Sequence, residues 1–171
     1  MSVALRSATP DDADLLARHR AAVWEEVGDW DAASMARQIP VWRAYFQRAL
    51  ADGTYVAIVA SEEGAIAGSG AILIQAALPR PMFESVRGGR MQSVYVVPEA
   101  RRRGVARAIV ERLLEWARSE RLISLSLHPS EEARPLYTSL GFVAADEMQI
   151  RLAPESEPPQ RPAAPARRSA R

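Results

Sequence analysis

A mixed α/β fold, one sheet flanked by helices, is predicted by three features of this 171-residue chain. The β-branched run Val94-Tyr95-Val96-Val97 reads as a buried strand, and Pro98 stops it because proline has no N–H for a sheet ladder. Directly after it, Val105, Ala106, Ile109, Val110, Leu113, Leu114 and Ala117 recur at helical spacing, with Arg107, Glu111, Arg112, Glu115 and Arg118 on the other side. Upstream, apolar stretches at 54–60 and 65–77 are joined by Glu62-Glu63-Gly64, the signature of a hairpin. A chain of this length buries about 70% of its unfolded surface in one domain, which we place at 1–153.

Residues 3–8 form the predicted first strand. Thr9-Pro10-Asp11-Asp12 then supplies a helix start, with Thr9 as cap and proline in the first turn, so 13–27 is expected to be helical. Gly28-Asp29 breaks that helix. A second runs over about 31–50 and is expected to be interrupted near Ile39-Pro40, because proline disfavours helix at the residue before it. Trp24, Trp30, Trp42, Tyr45 and Phe46 fall on this pair and pack it onto the sheet. In the hairpin's second strand, Gly68 and Gly70 mark a bulge or a close backbone approach. A loop at 78–89, with Phe83 and Glu84, leads into the central strand. Downstream come a strand at 122–127, a short helix at 131–140 and a last extended region at 142–152. From 154 to 171 the composition turns to Pro, Ala, Arg and Glu with little to bury, which predicts a disordered tail.

The junction between the central strand and the following helix carries the chemistry. Arg101-Arg102-Arg103-Gly104-Val105-Ala106 lies where a new helix leaves backbone N–H groups unpaired and its dipole adds partial positive charge. Gly104 permits close approach to the backbone, Ala106 keeps the first turn narrow, and the arginines add attraction. This order, R-x-x-G-x-A after a strand ending V-x-P, suggests a pyrophosphate site.

At these residues the sequence resembles the GNAT superfamily of N-acetyltransferases, whose acetyl-CoA signature is [Q/R]-x-x-G-x-[G/A]. A second stretch, from Ser130 through Leu136-Tyr137 to Gly141-Phe142, is similar to that superfamily's N-x-x-A-x-x-L-Y-x-x-x-G-F segment and lies at the matching distance. The family Asn is replaced by Ser130, whose hydroxyl can bond the pantetheine arm or cap the helix. The resemblance covers roughly 3–152. It implies a sheet whose middle strands splay apart around acetyl-CoA, with backbone groups of Val94, Tyr95 and Val96 pairing with the pantetheine arm. Arg101, Arg102, Arg103, Gly104, Val105 and Ala106 would then hold the pyrophosphate, and the helix pair would border the acceptor site, so that one or two of Trp24, Trp30, Trp42, Tyr45 and Phe46 shape the substrate pocket.

The implied reaction is direct acetyl transfer to a primary amine, borne by a small molecule or a protein, through a tetrahedral intermediate. Tyr137 matches the family tyrosine that protonates the departing thiolate; a phenol with a reference pKa of about 10 is a competent donor at neutral pH. The central strand reads Arg90-Met91-Gln92-Ser93 and holds no carboxylate base. Gln92 or Ser93 can position a water, Glu84, Glu25 and Glu26 can reach the amine, and the sequence does not rank these routes. Two rival classes are an acyl-CoA-binding module without turnover and a nucleic-acid binder. Retention of Tyr137 weighs against the first, and a net charge of +1 against the second.

Composition sets further bounds. The chain has no cysteine, so disulfides and thiolate chemistry are excluded, and His19 and His128 lack carboxylates at metal spacing. No metal is expected. Lysine and asparagine are both absent, which suggests a GC-rich coding sequence, so arginine abundance by itself does not signal phosphate binding. No apolar run reaches the roughly 18 residues of a membrane span, and no signal peptide is read at the start. These readings predict a cytoplasmic protein with no membrane partner, and they leave assembly as a homodimer open.

Overall fold

The computed structural model describes residues 3–27, 31–78, 81–82, 85–148 and 150. The expectations placed on Gly28, Asp29, Trp30, Phe83, Glu84 and the tail lie outside them. Five strands, β1 (Ala4–Ser7), β2 (Tyr55–Glu62), β3 (Ala65–Ala76), β4 (Arg87–Val96) and β5 (Leu125–Ser126), form one sheet in sequence order. The first three pairings are antiparallel and β4–β5 is parallel. Among the described residues four α-helices accompany them: α1 (Ala13–Val27), α2 (Ala32–Ala51), α3 (Val105–Ser119) and α4 (Arg134–Ser139). The expected mixed α/β sheet flanked by helices is therefore present.

Alternation along β2 sends successive side chains to opposite faces. Tyr55 and Ala57 face a core built from Ala13, Leu16 and Ala17 of α1 with Phe46 and Ala49 of α2. Ile58 and Ala60 belong to a second core that takes Val105, Ile109, Val110 and Leu113 of α3. Ile109, Val110 and Leu113 are fully buried, each contributing about 1.5–3 kcal/mol over an exposed position. The helix after the arginine loop is thus fixed to the sheet by its whole apolar stripe.

Asp12, which was read as part of the helix start, holds the entry to α1. Its carboxylate accepts two 2.7 Å bonds from the Arg6 guanidinium and one of 2.8 Å from the Thr9 N–H. The bond from Arg6 keeps its pKa below the ordinary carboxylate value.

Four expected elements differ, the first being the loop expected at 78–89, which ends early because Arg87, Gly88 and Gly89 pair with Ala76, Gln75 and Ile74 and so start β4. The second helix runs unbroken through Pro40. Pro40 is exposed and Ile39 half-buried, so the carbonyl that lacks a proline N–H faces water while Met35, Trp42 and Phe46 keep the helix on the sheet side. The strand expected at 122–127 contracts to Leu125–Ser126, because its partner β4 offers it register only at Gly89 and Arg90. The last extended region forms no strand among residues 142–148. Val143 and Met148 there are 86% and 99% exposed, so no packing draws that stretch onto the sheet.

The expected bulge in β3 is present at Ala67, beside Gly68, where Ala60 and Ser61 of β2 pair with Gly68 and Ile66; the register shift opposite Ser69 and Ala71 places its extra residue on β4. Close approach explains both glycines. A Cβ on Gly68 would lie 2.4 Å from the Tyr95 carbonyl oxygen, and one on Gly70 2.7 Å from Ile109 Cγ2. Gly68→Ala should therefore cost about 3 kcal/mol, lowering Tm by about 6–12 °C, because backbone rather than a flexible side chain obstructs the methyl. A thermal melt checks this; an unchanged Tm would mean that β4 yields to admit it.

Candidate active site

β4 and β5 are paired at Gly89–Leu125 and Arg90–Ser126, supported by bonds from the Gly89 N–H to the Ser124 carbonyl and from the Ile123 N–H to the Arg87 carbonyl. Beyond Arg90 the strands part. β4 continues to Val96, and on the way it bulges at Ser93, whose φ of 52° is left-handed. That conformation costs a non-glycine residue on the order of 1–3 kcal/mol. Tyr95 then pairs with Ser69 and Gln92 with Ala71. The parted strands enclose a cleft of about 1080 Å³, lined by Val94 to Val96 on one side and Leu127 to Ser130 on the other.

The basic loop completes this cleft. Arg102 and Gly104 both have left-handed φ, 63° and 86°, a conformation that costs glycine nothing and an L-residue about 1–2 kcal/mol. Gly104 caps α3 without a side chain, so no side-chain acceptor takes up the first-turn N–H groups. A Cβ on Gly104 would meet nothing within 4 Å, so the positive φ is what calls for glycine here.

Val94, Tyr95, Val96, Arg101, Arg102, Gly104, Val105, Ala106, Ser130 and Tyr137 all line this one cleft. Arg103 does not: its Nη2 lies 2.6 Å from Oε2 of Glu62 at the end of β2, outside hydrogen-bond angle, and Glu62 is buried. Arg101 is already engaged. It forms an ion pair with Glu26 of α1, donates from Nε to the Val96 carbonyl at 3.0 Å, and lies 5.8 Å from the Tyr95 ring centroid. Arg102 has no ion pair among the described residues. The Ser130 hydroxyl accepts a 3.3 Å bond from the Ala133 N–H, a capping contact that opens the turn before α4.

Tyr137 is 8% exposed and packs edge-on against Phe142 at 5.6 Å. Burial pushes its phenol pKa above the ordinary value, so the group is a proton carrier at neutral pH. Arg107, on the first turn of α3, donates to Ser139 Oγ at 2.6 Å and ties α4 to the helix start.

Of the carboxylates considered as bases, Glu26 lines the cleft, and Glu25 lines neither it nor the smaller cavity beside it. Sequence reading missed Val23, His128 and Glu132, which also line the cleft, and a contact from Arg20 Nη1 to Ser93 Oγ at 3.0 Å. Arg20 and Ser93 are separated by 73 residues, and no local pattern links them.

The cleft fits a nucleotide-linked thioester: an unpaired strand edge, open helix N–H groups and arginines at one end, and a buried phenol in the same lining. Solved structures share this architecture. A GCN5-related N-acetyltransferase from Ralstonia eutropha JMP134 superposes with a TM-score of 0.78 at 28% identity, over 88% of this chain and 99% of that one. A predicted acetyltransferase from Clostridium acetobutylicum, solved with acetyl-CoA, gives 0.78 at 25% identity, over 88% and 97%. Residues 19–142 match the Acetyltransferase (GNAT) family, and the chain belongs to that family. Over 93 residues it is 38% identical to a glucosamine 6-phosphate N-acetyltransferase of Trypanosoma brucei brucei, a match that spans 52% of this chain and 58% of that protein.

Behind the bulge, His19 of α1 places Nδ1 2.8 Å from Ser69 Oγ and its ring 4.9 Å from that of Tyr95. Burial lowers its pKa from 6.5 to about 4. The folded protein therefore resists a proton that the unfolded chain accepts, so this contribution is complete above pH 6.5 and is lost as pH falls toward 4. We expect Tm to drop between pH 7 and pH 5 and His19→Gln to flatten that drop. An equally steep profile in the mutant would move the titration elsewhere.

Proposed function

We propose that the protein is an N-acetyltransferase that transfers the acetyl group of acetyl-CoA to a primary amine. The observation that carries this reading is the cleft between β4 and β5, in which ten of the residues expected to hold or use acetyl-CoA line one space. Acetyl-CoA supplies the acetyl group as an activated thioester. The N–H groups at the start of α3 and the side chains of Arg101 and Arg102 hold the pyrophosphate, and Arg101 leaves Glu26 and Val96 to do so. Arg103 contributes its backbone, since its side chain is engaged with Glu62. Of Val94, Tyr95 and Val96, the first and last offer backbone groups along the strand edge, the Tyr95 carbonyl being turned toward Gly68 of β3, and Ser130 offers its hydroxyl.

The amine nitrogen forms a bond to the acetyl carbon and the carbon–sulfur bond breaks. Tyr137 Oη donates its proton to the departing sulfur and is reprotonated from solvent. No carboxylate stands on β4 between Arg90 and Ser93, so a water held by the Gln92 amide accepts the proton lost by the amine. Glu26 lines the same cleft and is freed when Arg101 turns to the pyrophosphate, so its carboxylate can take that proton on from the water. We assign 1–153 to the catalytic domain and 154–171 to a tail that plays no part in the reaction.

Two variants test this reading. Gly104→Glu puts bulk and negative charge at the pyrophosphate position and should abolish acetyl-CoA binding by calorimetry. Gly104→Ala suffers the same left-handed strain of about 1–2 kcal/mol without the charge, so it measures how much of any loss is folding. Tyr137→Phe keeps the ring and removes its proton. Its kcat, followed by thiol release, should fall by about 10²-fold while Tm and acetyl-CoA affinity hold. A mutant that loses about 1 kcal/mol of stability and keeps its turnover would return Tyr137 to a packing role.

A further inference from the structure

A second cavity of about 230 Å³ lies between α2 and the sheet, lined by Arg20, Trp42, Tyr45, Tyr55, Leu73 and Gln92 among others. Gln92 also lines the large cleft, so the two spaces adjoin at β4. The volume is below the roughly 300–1,000 Å³ of sites for drug-sized ligands, which suits a small molecule. Among the described residues, Arg20 is the only charged side chain in its lining.

Ten arginines of the chain have carboxylate partners, and Arg20, though half-buried, has none among the described residues. Its guanidinium is nonetheless fixed. Nη1 donates to Ser93 Oγ, and the guanidinium carbon lies 5.3 Å from the Trp42 ring centroid and 5.9 Å from that of Trp24. A partly desolvated cation, oriented by a hydroxyl and two indoles and without a counter-ion among the described residues, is a fixed fork of donors suited to a carboxylate or phosphate. An ammonium group would find no opposite charge there, so the amine end of a ligand is directed toward Gln92 and the cleft.

Resting on the acetyltransferase reading, we propose that this cavity is the acceptor site and that its ligand is a small primary amine carrying an anionic group, carboxylate or phosphate, bound by Arg20. Tyr45 and Trp42 wall the body of the ligand, and the anion sets its direction. Substrates of this class are separated from neutral amines and from polyamines by charge.

The test uses matched pairs on the full chain, with and without saturating CoA: glucosamine 6-phosphate against glucosamine, phosphoethanolamine against ethanolamine, and 4-aminobutyrate against butylamine. Calorimetry should show the anionic member of at least one pair bound about ten- to a hundredfold more tightly, the first two pairs reporting phosphate and the third carboxylate. In Arg20→Gln that preference should vanish while Tm and CoA affinity hold, and Arg20→Lys should restore part of it. Equal binding within every pair, no binding by any of the six, or a preference that survives Arg20→Gln would overturn the assignment. Thiol release from acetyl-CoA is followed separately. Anion-selective binding without thiol release would sink the acetyltransferase reading and leave Arg20 as the anion-binding residue.

Discussion

The parting of β4 from β5 after Gly89 and Arg90 is the constraint on which the site depends. A parallel pair that stayed in register would satisfy the edge of β4 with backbone bonds and close the space between the strands. Here the pairing stops after two positions, the bulge at Ser93 turns the rest of β4, and the strand edge beyond it faces a cavity instead of a neighbour. Everything else is placed around that opening. The start of α3 borders it because Pro98 ends the strand and a short turn leads back through left-handed Arg102 and Gly104. Tyr137 reaches it because α4 is tied to α3 through Arg107 and Ser139.

What the sequence made legible was whatever is written in neighbouring residues. The helix 13–27, the hairpin turn at Glu63-Gly64, the bulge beside Gly68 and the R-x-x-G-x-A loop all depend on local spacing or on the conformational needs of single residues. Each stands close to where it was expected. The site residues gathered on the same basis, since strand edge, helix start and short helix are three local segments brought together by one topology.

Long-range packing decided the rest. Pro40 was expected to break a helix that burial of Met35, Trp42 and Phe46 keeps whole. Arg101, Arg102 and Arg103 look equivalent in sequence, yet one is drawn to Glu26, one has no ion pair among the described residues and one is turned to Glu62, depending on which carboxylates the fold happens to bring near. Arg20 gave no signal at all. Its significance rests on Ser93 and Trp42, which approach it only when α1 and α2 lie across the bulged strand.

Helix α1 serves both cavities from one side. Arg20 borders the smaller space, and Val23 and Glu26, three and six residues further on, border the larger, because each step of three residues turns only about 60° around the helix. A displacement of α1 would therefore resize the two chambers together. Divergence of this scaffold toward new small molecules is then steered to α2, where Trp42 and Tyr45 touch the smaller chamber alone. Tyr45 is free to vary in bulk from one descendant to the next, whereas Trp42, which orients Arg20, and the inner face of α1 must stay as they are for the two chambers to keep their shape.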